Sequence, residues 1–409
     1  MYFNTSLLHG KNTAQYADGA TLVPVFQSNA FCCQTMEDLE RVFSHKKSGF
    51  AYSRIGNPTV AAFEQRISEL EGGIGAVAAS SGMAAVSHTL LSLLIPGDEI
   101  IASGCLYGGT IGLFDDLERL GIHTHFVSRL DEESIQAAVT SRTRCVFGEV
   151  IANPALSVLN IREAARAAHT AGLPLIVDNT TATPFLCRPF SLGADIVIHS
   201  ASKYIVGSGD AISGVVVDGG SFSWDRAHLP ALAGFEKFGK LAFLMRLRTD
   251  IHENLGGCLS PMNAFLGTLG LETLGLRMER ICENAARLAE ALKGAGIPVN
   301  YPALDESPCR DLCKEQFRGL GGGILTFRTG SAESARKVIN RLRYACIASN
   351  IGDIRTLVLL PSTTIFLKNT DRQKADAGVF EDTVRVSVGI EDAEDLIEDF
   401  LTALEACQE

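Results

Sequence analysis

Between Ala76 and Asp218 the chain repeats one theme, a short apolar run followed by a segment of helical period. The runs read AVAAS, EIIASG, THFVS, CVFGEVI, LPLIVDN, ADIVIHS and ISGVVVD, and the intervening stretches include a helix opening at Gly82 and IREAARAAHTAG. Runs that stay apolar instead of alternating belong to strands covered on both faces, so the pattern predicts an α/β fold, a mostly parallel sheet flanked by helices. Sheets of this kind collect their chemistry at the carboxyl ends of the strands, and those ends are where functional residues are sought.

The flanks of this region differ from it. Residues 1–60 are rich in turn formers and show no long periodic helix before PTVAAFEQRISELEGG, where Pro58 suits a first helical turn; they read as an arm. Beyond a polar stretch near 219–240, a helical region runs through NAFLGTLGLETLGLRMERICENAARLAEALKGAG. The remainder mixes strands (GGILTF, TLVLL, TVRVSVG) with helices (SAESARKVINRL, EDAEDLIEDFLTALEA), the pattern of a smaller C-terminal α+β domain. The division is therefore 1–60 for the arm, 61–253 for the large domain and 254–409 for the small one.

Composition narrows the function classes. With 409 residues, 46 % of them hydrophobic, the chain can build two cores. A net charge of −11 without a basic stripe argues against a nucleic-acid partner. The start, MYFNTSLLHGKN, lacks the plan of a signal peptide and no run approaches a membrane span, so a cytosolic protein is expected. Eleven cysteines scattered from Cys32 to Cys407 do not form a disulfide framework. The pair Cys309 and Cys313 sits in a loop-like polar stretch with no second Cys or His pair to complete a zinc site, and no metal is expected.

Three strand ends converge on one cofactor. SSGMAA opens a helix at Gly82, where a backbone free of Cβ and a helix N-terminus suit a phosphate, although turn chemistry alone explains such a glycine more simply. Asp178 ends LPLIVDN, where a carboxylate can keep a pyridine nitrogen protonated; the plainer alternative is a turn cap. HSASKY then presents Ser200, Ser202 and Lys203 together, two hydroxyls for a phosphate and an amine able to form a Schiff base, before the glycine-rich GSGDAISG. His199, just ahead of the motif, is read as structural. A dinucleotide-binding enzyme would share the α/β alternation, but no GxGxxG follows the first strand.

These residues, with AYSRIGNPT, LYGGT, ANP, VDNT and VRVSVGIE in order and at the usual spacings, resemble the Cys/Met-metabolism enzymes that use pyridoxal 5′-phosphate (PLP), within the aspartate-aminotransferase-like fold type I. The resemblance covers nearly the whole chain and implies a seven-stranded, mostly parallel sheet in the large domain. It implies that Lys203 bonds the cofactor and that Asp178 pairs with the pyridinium nitrogen. Ser81, Gly82, Met83, Ser200 and Ser202 would hold the phosphate, Tyr107 would stack on the ring and move protons, and Asn153 would meet the ring hydroxyl. Asn350 and Arg385 would bind the substrate, Arg385 at its α-carboxylate. Tyr52 and Arg54, two apart on a segment expected to be extended and thus facing one way, would reach the phosphate of a neighbouring subunit, Tyr52 also touching substrate. The implied assembly is a homotetramer, a dimer of dimers with shared sites.

The resemblance implies removal of the α-proton, then of a β-proton with loss of a γ-substituent; addition of a thiol gives replacement, and hydrolysis gives elimination. Asn350 in SNIGD, Gly109 in LYGGT and the segment RLRTDIHENLGGCLSPMNAF resemble the O-acylhomoserine sulfhydrylases, which points to γ-replacement giving homocysteine or methionine. Methionine γ-lyase-like elimination and cystathionine γ-synthase or lyase activity are the alternatives. Ile365 departs from the pattern, standing after PSTT where sulfhydrylases commonly carry His.

Overall fold

The computed structural model describes residues 1–9, 19–44, 46–224 and 228–407. Parts of the expected arm (10–18 and 45), of the polar stretch (225–227) and of the C-terminal domain (408–409) therefore lie outside the described residues. The seven apolar runs all become strands: β1 (Gly75–Ala79), β2 (Glu99–Ser103), β3 (His123–Val127), β4 (Thr143–Glu149), β5 (Leu175–Asp178), β6 (Ile196–His199) and β7 (Gly214–Asp218). They form one sheet in the order β1-β7-β6-β5-β4-β2-β3, in which only β7 runs antiparallel to its neighbours. The middle strands are buried on both faces: Ile101, Val146, Val177, Val197 and Val217 face one core and Ile100, Phe147, Ile176, Ile198 and Val216 the other. The edge strand β3 departs from the expectation. His123 and Phe126 are exposed, since an edge has a neighbour on one side only.

The order of this sheet decides where a ligand can sit. After β2 the chain steps outward to β3, and after β3 it returns to the other side of β2 to place β4. Between β2 and β4 the flanking connections therefore part in opposite directions and leave a crevice at the carboxyl ends. Helices opened by polar caps fix the rims. In α3 (Pro58–Glu71) the Asn57 side chain accepts from Thr59 N, and Gly72, at φ +84°, ends the helix. In α4 (Gly82–Leu93) the Ser81 side chain accepts from Ala84 N at 3.1 Å.

A second sheet, β10-β11-β12-β9-β8, joins β8 (Val299–Asn300), β9 (Ile324–Arg328), β10 (Cys346–Ile347), β11 (Leu357–Leu359) and β12 (Thr383–Ser387). Its core combines Val358, Val384 and Val386 with Leu288 and Leu292 of the helix Leu274–Gly294 and Phe400 of the helix Ala393–Glu405. The long helical region is two helices, Pro261–Glu272 and Leu274–Gly294, parted at Thr273. Cys309 and Cys313 are not in a loop: they open and occupy the helix Arg310–Phe317, and Cys313 is buried beneath it.

The arm contains the short helices α1 (Phe3–Leu8) and α2 (Met36–Phe43). Helix α2 buries none of its residues, although Met36 and Phe43 give it an apolar side. The segment carrying Tyr52 and Arg54 is a turn, not the extended stretch expected: the amides of Ile55 and Gly56 both donate to Tyr52 O, at 2.9 and 3.0 Å. The two side chains still meet, because the turn folds the Arg54 guanidinium to 5.5 Å from the centre of the Tyr52 ring.

Candidate active site

A cavity of about 390 Å³ lies over the carboxyl ends of β4, β5 and β6, closed from the second sheet by β12 and by residues 349–351. Ser81, Gly82, Met83, Tyr107, Asn153, Asp178, Ser200, Ser202, Lys203, Asn350 and Arg385 all line it. Tyr52 and Arg54 do not; both are exposed at the surface of the chain, and Arg54 Nη1 donates to Glu253 O at 2.6 Å.

One end of the cavity is the start of α4. A Cβ on Gly82 would stand 2.5 Å from Ser200 Cβ and 2.6 Å from its Oγ, closer than real Cβ contacts come, so glycine alone lets the Ser200 strand end pack against the helix start. The result is a cradle of helix-terminal amides beside a hydroxyl, suited to a phosphate. The neighbouring hydroxyl of Ser202 accepts from Ser213 N at 2.9 Å and donates to Ser213 O at 3.0 Å, which ties the HSASKY turn to the start of β7.

At the opposite end stand the cationic groups. Lys203 Nζ donates to Asn350 Oδ1 at 2.6 Å, while burial, aided by the nearby Arg385 charge, pushes its pKa down toward the neutral amine. Arg385, 3 % exposed on β12, donates through Nη2 to Asn350 O at 2.8 Å and through Nη1 to Asn153 Oδ1 at 3.3 Å. Its Nε is buried with no partner among the described residues, and burial lowers its pKa to about 10. A buried guanidinium that lines a cavity and keeps an unused N–H suits an anionic ligand.

Between these ends lie two carboxyl groups. Asp178 ends β5, accepts from Thr180 N at 2.8 Å, and is pushed above the usual carboxylate range by burial. Glu149 ends β4 and was not singled out from sequence, although the reasoning that chose Asp178, an acid closing an apolar strand run, applies equally to FGEV. Its Oε1 accepts from Tyr107 N at 2.6 Å. Thr180, whose hydroxyl accepts from Ser200 N at 2.7 Å, was likewise missed. The Tyr107 ring, 42 % exposed, needs Gly109 beside it, since a Cβ there would lie 2.5 Å from the ring. Ile365 also lines the cavity. His199 turns away: buried, it places Nε2 2.6 Å from Glu71 Oε1, consistent with a structural role.

The chain matches the family described as Cys/Met metabolism PLP-dependent enzyme over residues 4–405. It is 39 % identical to the homocysteine synthase of Schizosaccharomyces pombe, over 99 % of this chain and 98 % of that one. It is also 39 % identical to the O-acetyl-L-homoserine sulfhydrylase of Corynebacterium glutamicum, over 97 % and 95 %. Among solved structures, it superposes with a TM-score of 0.91 on a Campylobacter jejuni chain assigned as an O-acetylhomoserine (thiol)-lyase, at 30 % identity and over 99 % and 100 % of the two chains; that protein carries a pyridoxyl-lysine phosphate. A cystathionine γ-synthase from Xanthomonas oryzae superposes at 0.88, with 29 % identity over 100 % and 99 %.

Proposed function

Because the chain belongs to the PLP-dependent enzymes of Cys/Met metabolism, we propose that it is a transferase carrying out γ-replacement on an O-acylated homoserine, a sulfur nucleophile displacing the acyloxy group to give homocysteine or methionine. The residues present fit the cofactor: the Gly82 cradle leaves no room for a Cβ, the Arg385 Nε lacks a partner among the described residues, and the half-buried Lys203 lines the same cavity.

Bound PLP supplies a carbonyl carbon for amines and an electron-poor ring that takes up the electron pair freed at the substrate α-carbon. The chain's own residues do the rest. Gly82 and Met83 amides, with the hydroxyls of Ser81, Ser200 and Ser202, would hold the phosphate. Asp178 would keep the pyridine nitrogen protonated, Asn153 would meet the ring hydroxyl, and Tyr107 would lie against the ring. Arg385 and Asn350 fix the substrate carboxylate, which orients the α-hydrogen toward Lys203. Lys203, whose charge burial disfavours, would hold the cofactor through Nζ and would be the amine placed to accept the α-proton.

The observation that carries this reading is the Lys203–Asn350–Arg385 constellation, in which one asparagine joins the amine and the carboxylate-binding guanidinium through its side chain and its carbonyl. We further assign residues 1–60 as an arm that completes a neighbouring site, 61–253 as the cofactor domain and 254–409 as the smaller domain, in a cytosolic tetramer built from two dimers. A substrate panel tests the reaction, pairing O-acetyl-, O-succinyl- and O-phosphohomoserine with sulfide, methanethiol and cysteine while following 2-oxobutyrate. Homocysteine from an activated homoserine and sulfide is expected to form faster than 2-oxobutyrate from methionine. Faster elimination from methionine would replace this reading with a γ-lyase.

A further inference from the structure

Glu149 stands in direct register with Asp178 on adjacent parallel strands, so the two carboxyl groups leave the sheet side by side. It is 8 % exposed and lines the same cavity. Its Oε1 accepts the amide of Tyr107, 42 residues away in sequence, at 2.6 Å, and the backbone of Asn153 approaches the same group closely enough to favour its charged form. One carboxyl thus gathers the two loops whose side chains face the cofactor ring in the function proposed above. Tyr107 opens α5 (Gly108–Arg119) without a side-chain cap, its carbonyl accepting from Thr110 N at 2.9 Å within the helix, so Glu149 is what ties its amide to the sheet.

We infer that Glu149 is a positioning residue for the replacement reaction, its carboxyl tying the backbone of Tyr107 and Asn153 to the end of β4 and so setting where the Tyr107 ring stands over the cavity. The group does not need its charge to do this, because a carbonyl oxygen is enough to accept an amide. Burial, followed by the charge of Asp178, pushes Glu149 well above the usual carboxylate range, because two carboxylates on neighbouring strands do not both ionise cheaply. A protonated carboxyl still keeps a carbonyl oxygen for the Tyr107 amide.

This inference rests on the proposed γ-replacement only for its activity readout. Three holoenzyme variants test it: Glu149→Gln, which keeps shape and acceptor but never ionises; Glu149→Leu, which keeps bulk and loses the acceptor; and Glu149→Asp, which keeps the acid on a stem too short to reach Tyr107. Glu149→Gln is expected to hold kcat within about threefold of the parent. The other two are expected to lower kcat about tenfold to a hundredfold with KM nearly unchanged, the scale on which a misplaced reacting group costs rate. The same two are also expected to alter the visible circular dichroism of the bound cofactor. If Gln is as damaging as Leu, the negative charge is what matters and the inference fails. It fails equally if Leu and Asp lower only the melting temperature while kcat per bound cofactor and the dichroism stay at parental values. The dichroism needs no substrate, so it reads Glu149 even if the panel above assigns a different reaction.

Discussion

A methyl group's worth of space at Gly82 decides whether the proposed phosphate cradle can form. Because the added Cβ would meet Ser200 Cβ and Oγ at 2.5 and 2.6 Å, Gly82→Ala must push the HSASKY turn away from the start of α4. That turn carries Ser200, Ser202 and Lys203, so the displacement reaches two of the hydroxyls assigned to the phosphate and the lysine beside them. We expect the dissociation constant for PLP, titrated by fluorescence on apoprotein, to rise at least about tenfold, the loss of one charge-assisted hydrogen bond's worth of binding. Unchanged affinity would remove Gly82 from the cradle. At this scale the site was largely legible, because strand ends announce themselves: Asp178 and Lys203 each close an apolar run. Glu149 went unseen for a physical reason. Its importance lies in accepting an amide 42 residues upstream, a pairing created by the strand order and invisible to local pattern.

Elements show the same division between local and assembled properties. Asp218 ends β7 fully buried; Oδ1 accepts from Gly220 N at 2.9 Å and Oδ2 has no partner among the described residues. Burial, with the Asp195 charge adding, raises its pKa from the ordinary 3.8 to about 7. Between those values the native chain holds a proton that the unfolded chain has released, so stability falls as pH rises through the window; the cost is absent below it and complete above it. Asp218→Asn cannot ionise and keeps an acceptor for Gly220. Relative to the parent it should gain up to about 4 kcal/mol between pH 4 and pH 8, whatever fixed offset the new amide brings. Denaturant unfolding of both chains at several pH values measures this, and a difference independent of pH would refute it. Six of the seven strands of the large sheet could be read from apolar runs because both faces are covered, and the half-exposed edge strand β3 only because its run THFVS fell into the same alternation. The strands β8 and β10, two residues each, are too short to carry a pattern, and the polar helix Arg310–Phe317 hid among turn-like residues while burying Cys313 and Phe317.

For the whole molecule, the arm is what a single chain leaves unexplained. Helix α2 buries nothing, its Met36 and Phe43 are exposed, and the Tyr52–Arg54 turn stands outside the chain's own cavity. Apolar surface and an arginine stacked on a tyrosine are costly to leave facing water without a partner, whereas a neighbouring subunit would cover the one and offer a phosphate to the other. Each active site would then need Lys203 from one chain and Tyr52 with Arg54 from the next. An Arg54→Ala chain loses the donor it lends, and a Lys203→Ala chain loses the amine it needs, so each homo-oligomer should be inactive. When the two are mixed and allowed to exchange subunits, a mixed dimer holds one site with both defects and one with neither. Activity should return toward a quarter of the parental value: half the dimers are mixed at equal input, and half their sites are intact, with about this fraction following from random pairing of subunits in a closed two-fold dimer. Mass spectrometry confirms the exchange independently. Exchange without recovered activity would show that the arm serves its own chain's site or none, and an active monomer on sizing would show the same before any mixing.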